Sequence, residues 1–240
     1  MTRTRPSFRL SRVCTALIAS AMILPAIAPA EEAADSDEAG SNYVEYMVGI
    51  SHSPDSDLDG ANSSSIQFSG KTEQKPIGYF VGGAAGRYVA EDVRVELQIG
   101  FRNSEINQMS VQGEPSGSKN ATLSMLSVMA NAYYDFDLRD RDVPVVPWVG
   151  LGIGWGMPRI DGRNQSGPNQ LKIDDTASTM VYNFMGGVTW PFSKQAELVG
   201  GYRYLASIRF DLIGTQSGLQ QRFKYKYQAH EAYTGIRFRF

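Results

Sequence analysis

The last stretch of the chain, residues 232–240, alternates strictly between two kinds of residue. The even positions are small or apolar, and Tyr233, Gly235, Arg237 and Arg239 lie between them. Because successive side chains of a strand point to opposite faces, this pattern predicts a strand with one apolar and one polar face. In water, such an edge would be prone to aggregation. In a membrane barrel the edge pairs with the first strand and the apolar face meets lipid. We expect this partner to be residues 42–51.

The first thirty residues have the pattern of a secretory signal peptide. Four arginines precede an apolar run at 13–27, and Ala28-Pro29-Ala30 forms a small-residue cleavage site. The run is shorter than the roughly 20 residues that a transmembrane helix requires. Cys14, the only cysteine, lies inside it. We therefore expect a signal peptide at 1–30, a flexible periplasmic lead at 31–41 and a barrel domain at 42–240, with no disulfide and no cysteine chemistry.

Charge and composition after residue 30 exclude some classes of protein. Four of the 23 basic residues belong to the signal, so 19 basic residues face 25 acidic ones. Without a basic patch, no nucleic acid is expected as a partner. The 24 glycines and abundant aromatic residues suit a sheet better than a helical bundle. Any membrane crossing is therefore expected to use strands.

Eight strands can be read from the alternation, and their connections follow a regular order. The strands are predicted at 42–51, 76–89, 93–103, 121–136, 143–157, 177–190, 195–210 and up to 240. Long polar connections at 52–75, 104–120, 158–176 and 211–221 alternate with short turns. Transmembrane barrels have long outer loops and short periplasmic turns. The pattern predicts an all-β fold, an eight-stranded antiparallel up-and-down transmembrane β-barrel.

The two faces of these strands decide between a membrane barrel and a soluble one. A soluble barrel needs an apolar interior, whereas here one face carries charges of both signs and the other carries aliphatic residues, glycines and aromatics. We expect the charged face to line the lumen. The predicted lumen charge network comprises Glu45, Arg87, Arg94, Glu96, Asp135, Glu197, Arg203, Arg209, Glu231, Arg237 and Arg239. Glycines at 150, 152, 154 and 156 are expected to leave room for long side chains such as Arg203.

Several motifs resemble those of a known group of proteins. They are Ser-Val-Met-Ala-Asn-Ala-Tyr-Tyr-Asp-Phe at 127–136, Val-Pro-Trp-Val-Gly-Leu-Gly-Ile-Gly at 146–154, Glu-Leu-Val-Gly-Gly-Tyr-Arg-Tyr at 197–204, residues 95–102 and the final phenylalanine. Together they resemble the small eight-stranded outer-membrane proteins of Gram-negative bacteria, the surface-antigen and OmpA-like barrel group. The resemblance covers nearly all of the chain after the signal and is specific for architecture, not for activity.

The resemblance implies partners and a location. It implies a cell outer membrane location, contact with outer-membrane lipid and lipopolysaccharide, and insertion by the barrel assembly machinery as a monomer. The recognition signal for that machinery resembles Tyr233, Gly235, Phe238 and Phe240.

Neither catalysis nor metal binding is expected. Only two histidines exist, His52 and His230, which is few for a metal site. Lipid A deacylases are also eight-stranded barrels, but their serine nucleophile beside a histidine is replaced here, since Ala232 follows His230 at that spacing. An outer-membrane lipid-modifying enzyme is therefore the least favoured function, and no catalytic residue, metal or cofactor is expected.

Two functions remain open from the sequence. Eight strands enclose an interior just wide enough for side chains to fill, so paired charges would plug the lumen. The favoured function is a structural and surface-interaction role, adhesin-like or antigen-like, in which the outer loops contact a host or surface ligand. The alternative is a narrow porin or small-ion channel.

Overall fold

The computed structural model describes residues 41–54, 56–61, 67–74, 77–111, 121–136, 144–163, 171–216 and 219–240. The expected signal peptide and residues 31–40 of the expected lead lie outside the described residues. The described strands are β1 (Asn42–His52), β2 (Ser56–Ala61), β3 (Gln67–Gln74), β4 (Gly78–Ala90), β5 (Val93–Val111), β6 (Ala121–Asp135), β7 (Val146–Arg163), β8 (Leu171–Thr176), β9 (Thr179–Pro191), β10 (Ala196–Ser207), β11 (Phe210–Gln216), β12 (Leu219–Tyr225) and β13 (Gln228–Arg239). No helix in these ranges is long and apolar enough to span a bilayer.

The first and last strands close the sheet into a barrel. Strand β1 pairs antiparallel with both β4 and β13, and Glu45 lies opposite Arg237 in the closing ladder. The amide of Asn42 donates to the carbonyl of Phe240 over 3.1 Å, and the amide of Phe240 donates back over 2.9 Å. The ring runs β1, β4, β5, β6, β7, β9, β10, β13 and returns to β1. The predicted eight-stranded antiparallel barrel and its closing pair are confirmed.

The five remaining strands extend the wall at the end opposite the short turns, which we call the outer end. Strand β3 pairs with the far half of β5, β2 with β12, and β8 with both β7 and β11, so that a second ring continues the first. The prediction of four long outer loops was wrong over these segments. The sequences of β2 and β3 are mostly polar, so period-2 alternation of hydropathy is weak there, yet each backbone finds a ladder partner on its neighbour.

The outside of the wall is apolar and its inside is polar. Leu97, Leu151 and Phe184 are 61%, 59% and 58% exposed, whereas Gln98 and Arg203, on the opposite face, are 1% and 0% exposed. A soluble barrel has the opposite arrangement. Only a surrounding lipid phase stabilises such a surface, which identifies the ring as a transmembrane barrel.

Aromatic residues gather near both ends of this apolar wall. Near the short turns, Tyr134 packs on Phe136 with ring centroids 5.1 Å apart, and Trp190 lies 6.4 Å from Phe192. Near the outer end, Trp155 donates its indole N–H to Ser178 over 2.5 Å. Tyrosine and tryptophan favour the membrane–water interface because an apolar ring and a polar group are both satisfied there. The apolar wall therefore has an aromatic border at each end.

The glycines of β7 make room for side chains of the adjacent strand β6. A Cβ on Gly150 would lie 2.5 Å from the ring of Tyr133, and one on Gly152 would collide with the amide oxygen of Asn131. The expectation that this room serves Arg203 was wrong. Arg203 belongs to β10, and β9 lies between β10 and β7.

Candidate functional site: the charged lumen

The interior of the barrel holds arginines and carboxylates in equal number among the described residues. Its members come from five strands and all lie on the inward face: Glu45, Arg94, Glu96, Arg102, Asp135, Glu197, Arg203, Glu231, Arg237 and Arg239. Nine of them are buried, and Arg239 is partly exposed at the turn end. Formal charges of the set cancel. Since an unpaired buried charge is costly, the partners of each group decide whether the arrangement is stable.

The group closest to the β1–β13 pairing, which we call the seam of the barrel, is centred on Arg237. Its guanidinium lies 2.8 Å from Glu45 of β1 and 3.1 Å from Glu197 of β10. Arg239 forms an ion pair with the other oxygen of Glu197. Arg237 also lies 4.8 Å from the centroid of the Tyr43 ring. These ion pairs join β1, β10 and β13 across the seam.

A second group surrounds Arg94 and Glu96 of β5. Arg94 donates to Asp135 over 3.1 Å, and its guanidinium lies 3.7 Å from the centroid of Tyr133. Glu96 accepts hydrogen bonds from the hydroxyls of Tyr43 over 3.1 Å and Tyr133 over 2.9 Å. Each buried charge of this group therefore has a hydrogen-bond partner or an oppositely charged neighbour.

The third group is centred on Glu231 of β13, whose Cα lies opposite Ser51, one residue before β1 ends. Arg102 forms an ion pair with one carboxylate oxygen, and Arg203 lies 3.3 Å from the other. Arg102 also donates to the hydroxyl of Ser127 over 2.7 Å. The ring of Phe80 lies between the two guanidinium groups, 4.8 Å from Arg102 and 4.9 Å from Arg203. We call these five residues the Glu231 layer.

Beyond the Glu231 layer, toward the outer end, the interior becomes apolar. A buried cluster there comprises Leu123, Met125, Met129, Ile160, Val181, Leu205, Phe210, Tyr225, Tyr227 and Ala229. The expectation of a polar lumen was therefore wrong for this part of the interior. On β6, Met125 and Leu123 continue the inward face from Ser127 toward the outer end, and Met129 lies on the other side of Ser127.

Two predicted members of the charge network lie elsewhere. Arg87 is exposed on the outer face, because it shares the alternation of Tyr79, Val81 and Ala85, while Tyr88 points inward. Arg209 is exposed between β10 and β11, in a break at 208–209 that follows three consecutive buried residues at 205–207. Both assignments to the lumen were wrong.

One interior charge, on the polar face of its strand, is absent from the predicted lumen network. Arg102 lies in the Glu231 layer, and it has the same alternation on β5 as Arg94, Glu96 and Gln98. That shared face was the signal that could have identified it.

The predicted assembly residues divide between the two faces of β13. Phe238 and Phe240 are exposed on the apolar wall. Tyr233 is buried in the lumen, where its ring lies 6.2 Å from Phe80 and 4.9 Å from the Arg203 guanidinium. Gly235 is also on the inward face, with its Cα opposite Met47 of β1.

The carboxylates of the charge network are engaged in ion pairs or hydrogen bonds. Each carboxylate of the network has an arginine or tyrosine partner, which lowers its availability to a metal ion or a substrate. In the part of the chain that the structure describes, no three histidine, cysteine or acidic side chains cluster as metal ligands would.

Comparison with known proteins places the chain among outer-membrane barrels. The family model for the outer membrane protein beta-barrel domain matches residues 16–240. An "Outer membrane protein" of Gluconacetobacter diazotrophicus is 31% identical over 154 residues, which are 60% of this chain and 40% of the relative. The chain therefore spans less than half of that relative's length.

Two solved structures have a similar fold. The outer membrane protein OprG from Pseudomonas aeruginosa is 13% identical with a TM-score of 0.58, covering 84% of this chain and 96% of its own. The outer membrane protease OmpT from Escherichia coli is 6% identical with a TM-score of 0.50, covering 88% of this chain and 99% of its own. At these identities the likeness concerns the fold alone. With its family match over most of its length, this chain belongs to the outer membrane protein beta-barrel domain family and is an outer-membrane protein.

Proposed function

We propose that the protein is a non-enzymatic structural barrel of the outer membrane that interacts with other molecules through its outer end, its lumen being closed to solutes. The Glu231 layer carries this proposal. Glu231, Arg203 and Phe80 are 0% exposed, and the Phe80 ring packs against the guanidinium groups of both arginines. An eight-stranded barrel leaves little interior beyond what such side chains occupy.

The outer end supports the surface-interaction part of the proposal. Strands β2, β3, β8, β11 and β12 continue the ladder past the apolar wall, so the outermost connections are held on paired strands. Binding sites are often built on connections that a rigid scaffold positions. A host or surface ligand would contact this end, while lipopolysaccharide and other outer-membrane lipids would contact the wall.

Conductance measurements test whether the lumen is closed to solutes. Wild-type protein in planar bilayers is expected to be nearly silent, whereas Phe80→Ala removes the ring between Arg102 and Arg203 and is expected to give measurable small-ion conductance. Phe184→Ala is the matched control, because it deletes the same ring from the lipid-facing wall, where Phe184 is 58% exposed. Wild-type conductance and sugar permeation like those of a large porin would contradict the proposal.

A narrow channel for small ions is the second candidate, and a specific observation favours it. Within the described residues, several buried polar atoms have no hydrogen-bond partner, among them Ser51 Oγ, Gln98 Oε1 and Asn183 Oδ1. Buried polar atoms of this kind are usually hydrogen-bonded to internal water. A hydrated path beside the ion pairs would conduct in the wild-type protein, and the same bilayer recording distinguishes the two candidates.

The seam supports a role of the last strand in insertion by the barrel assembly machinery. Phe240→Asp places a charge on the lipid-facing side of β13, at a residue whose backbone pairs with Asn42. This variant is expected to accumulate outside the membrane in cells, as measured by fractionation, while Phe192→Asp, in a turn, is the matched control. Normal membrane levels of Phe240→Asp would contradict the assignment.

A further inference from the structure

The chain's only two histidines are direct neighbours in the structure. His52 ends β1 and His230 lies near the start of β13, and the register of the closing ladder places their Cα atoms opposite each other. Residues directly opposite in an antiparallel pair have Cβ atoms about 4.5–5.5 Å apart. Two imidazoles at this Cβ separation can bind one ion when their rings turn toward each other, since metal–nitrogen bonds are about 2.0–2.1 Å long.

Both side chains are on the outside of the wall. His52 follows Tyr46, Val48 and Ile50 in the outward alternation and is exposed, and His230 is partly buried. The two histidines line a concavity of about 200 Å³ together with Ile50, Ile77 and Tyr202. The pair thus lies at the outer border of the apolar wall, on the seam that closes the barrel.

A neighbouring tyrosine holds the ring of His230 in place. The hydroxyl oxygen of Tyr202 lies 2.5 Å from His230 Nδ1, and the Tyr204 ring centroid is 5.2 Å from that of His230. When Nδ1–H donates to Tyr202, the lone pair of Nε2 is available to a ligand. Histidines that bind metals usually donate their second ring nitrogen in this way, which fixes the tautomer and the orientation.

We propose that His52 and His230 form a binding site for a divalent transition-metal ion such as Cu²⁺, Ni²⁺ or Zn²⁺. Imidazole nitrogen suits these ions, with water completing the coordination. Calcium and magnesium prefer oxygen ligands and are not bound by the pair. Because one ligand comes from the first strand of the barrel and the other from the last, a bound ion links the two strands that close it.

Metal titration of the full chain, refolded in detergent without a histidine tag, tests the site. Binding is measured by calorimetry with Cu²⁺ and Zn²⁺, and barrel unfolding by heat-modifiable gel mobility. Wild-type protein is expected to bind one ion per chain and to unfold at a higher temperature with metal than without it.

Three variants make the test specific. His52→Ala and His230→Ala are expected to abolish both saturable binding and the metal-dependent shift, while heat-modifiable migration without metal shows that they still fold. Tyr202→Phe keeps both ligands and is expected to bind about tenfold more weakly. Equal binding by wild type and by both alanine variants, or no saturable binding by wild type, would overturn the proposal.

Discussion

Replacing Glu231 with glutamine is expected to lower the free energy of unfolding of the barrel by about 3–5 kcal/mol. The side chain keeps its size but loses the charge that both Arg102 and Arg203 contact. Two buried guanidinium groups would then remain close together without a carboxylate between them. The penalty comes from this uncompensated charge, since a buried ion pair as a whole contributes little net stability.

Denaturant unfolding in detergent micelles, followed by gel mobility, measures this loss. The matched control is Asp211→Asn, because the ion pair of Asp211 with Arg222 has a similar distance, 3.4 Å, but side chains 45% and 69% exposed. An exposed pair contributes at most about 1 kcal/mol. Equal losses in the two variants would contradict the description of Glu231 as the buried centre of a charged layer.

Arginine in place of Ile153 is expected to cost about 2 kcal/mol, because a cation facing lipid costs about 2–4 kcal/mol at the bilayer midplane and less toward the interface. Ile153 is 56% exposed and lies midway along the outward run of β7 that includes Leu151 and Trp155. On a water-facing surface, the same substitution would change stability by only about 0.5 kcal/mol. The large value follows from lipid contact alone.

The loss of unfolding free energy is measured by unfolding the variant from lipid bilayers and following tryptophan fluorescence. Ile213→Arg is the matched control, since Ile213 is 45% exposed on β11, in the extension beyond the apolar wall. It is expected to be nearly neutral. A neutral Ile153→Arg would mean that this face of β7 does not contact lipid.

The fold of the ring was predictable because local alternation and global architecture agree. Residues 93–101 show on which face each side chain lies, and the structure keeps Leu97 outside and Glu96 inside. The same logic failed where alternation was read through an irregularity, as at Arg209, or was assigned to the wrong face, as at Arg87. Hydropathy alone also gave little signal for the mostly polar strands β2 and β3 at the outer end.

Contacts across the lumen were less predictable from the sequence than the strand face on which each side chain lies. Arg102 and Glu231 are 129 positions apart, and their strands β5 and β13 are not ladder neighbours. Alternation shows that both point inward, but the height of each strand in the barrel decides which charges meet. The same limit applies to His52 and His230, whose adjacency depends on the register of the closing pair.

The central claim is that the wall is apolar outside and charged inside, and cysteine scanning tests it most directly. Cys14 is the only native cysteine, so single cysteines on β5 and β6 can be spin-labelled in a Cys14→Ser background. Spin labels at Leu97, Ile99 and Val128 are expected to be accessible to a lipid-soluble paramagnetic relaxation agent in bilayers. Labels at Gln98 and Met129 are expected to be shielded from it. Loss of this alternation, or its reversal, would contradict a lipid-facing barrel wall.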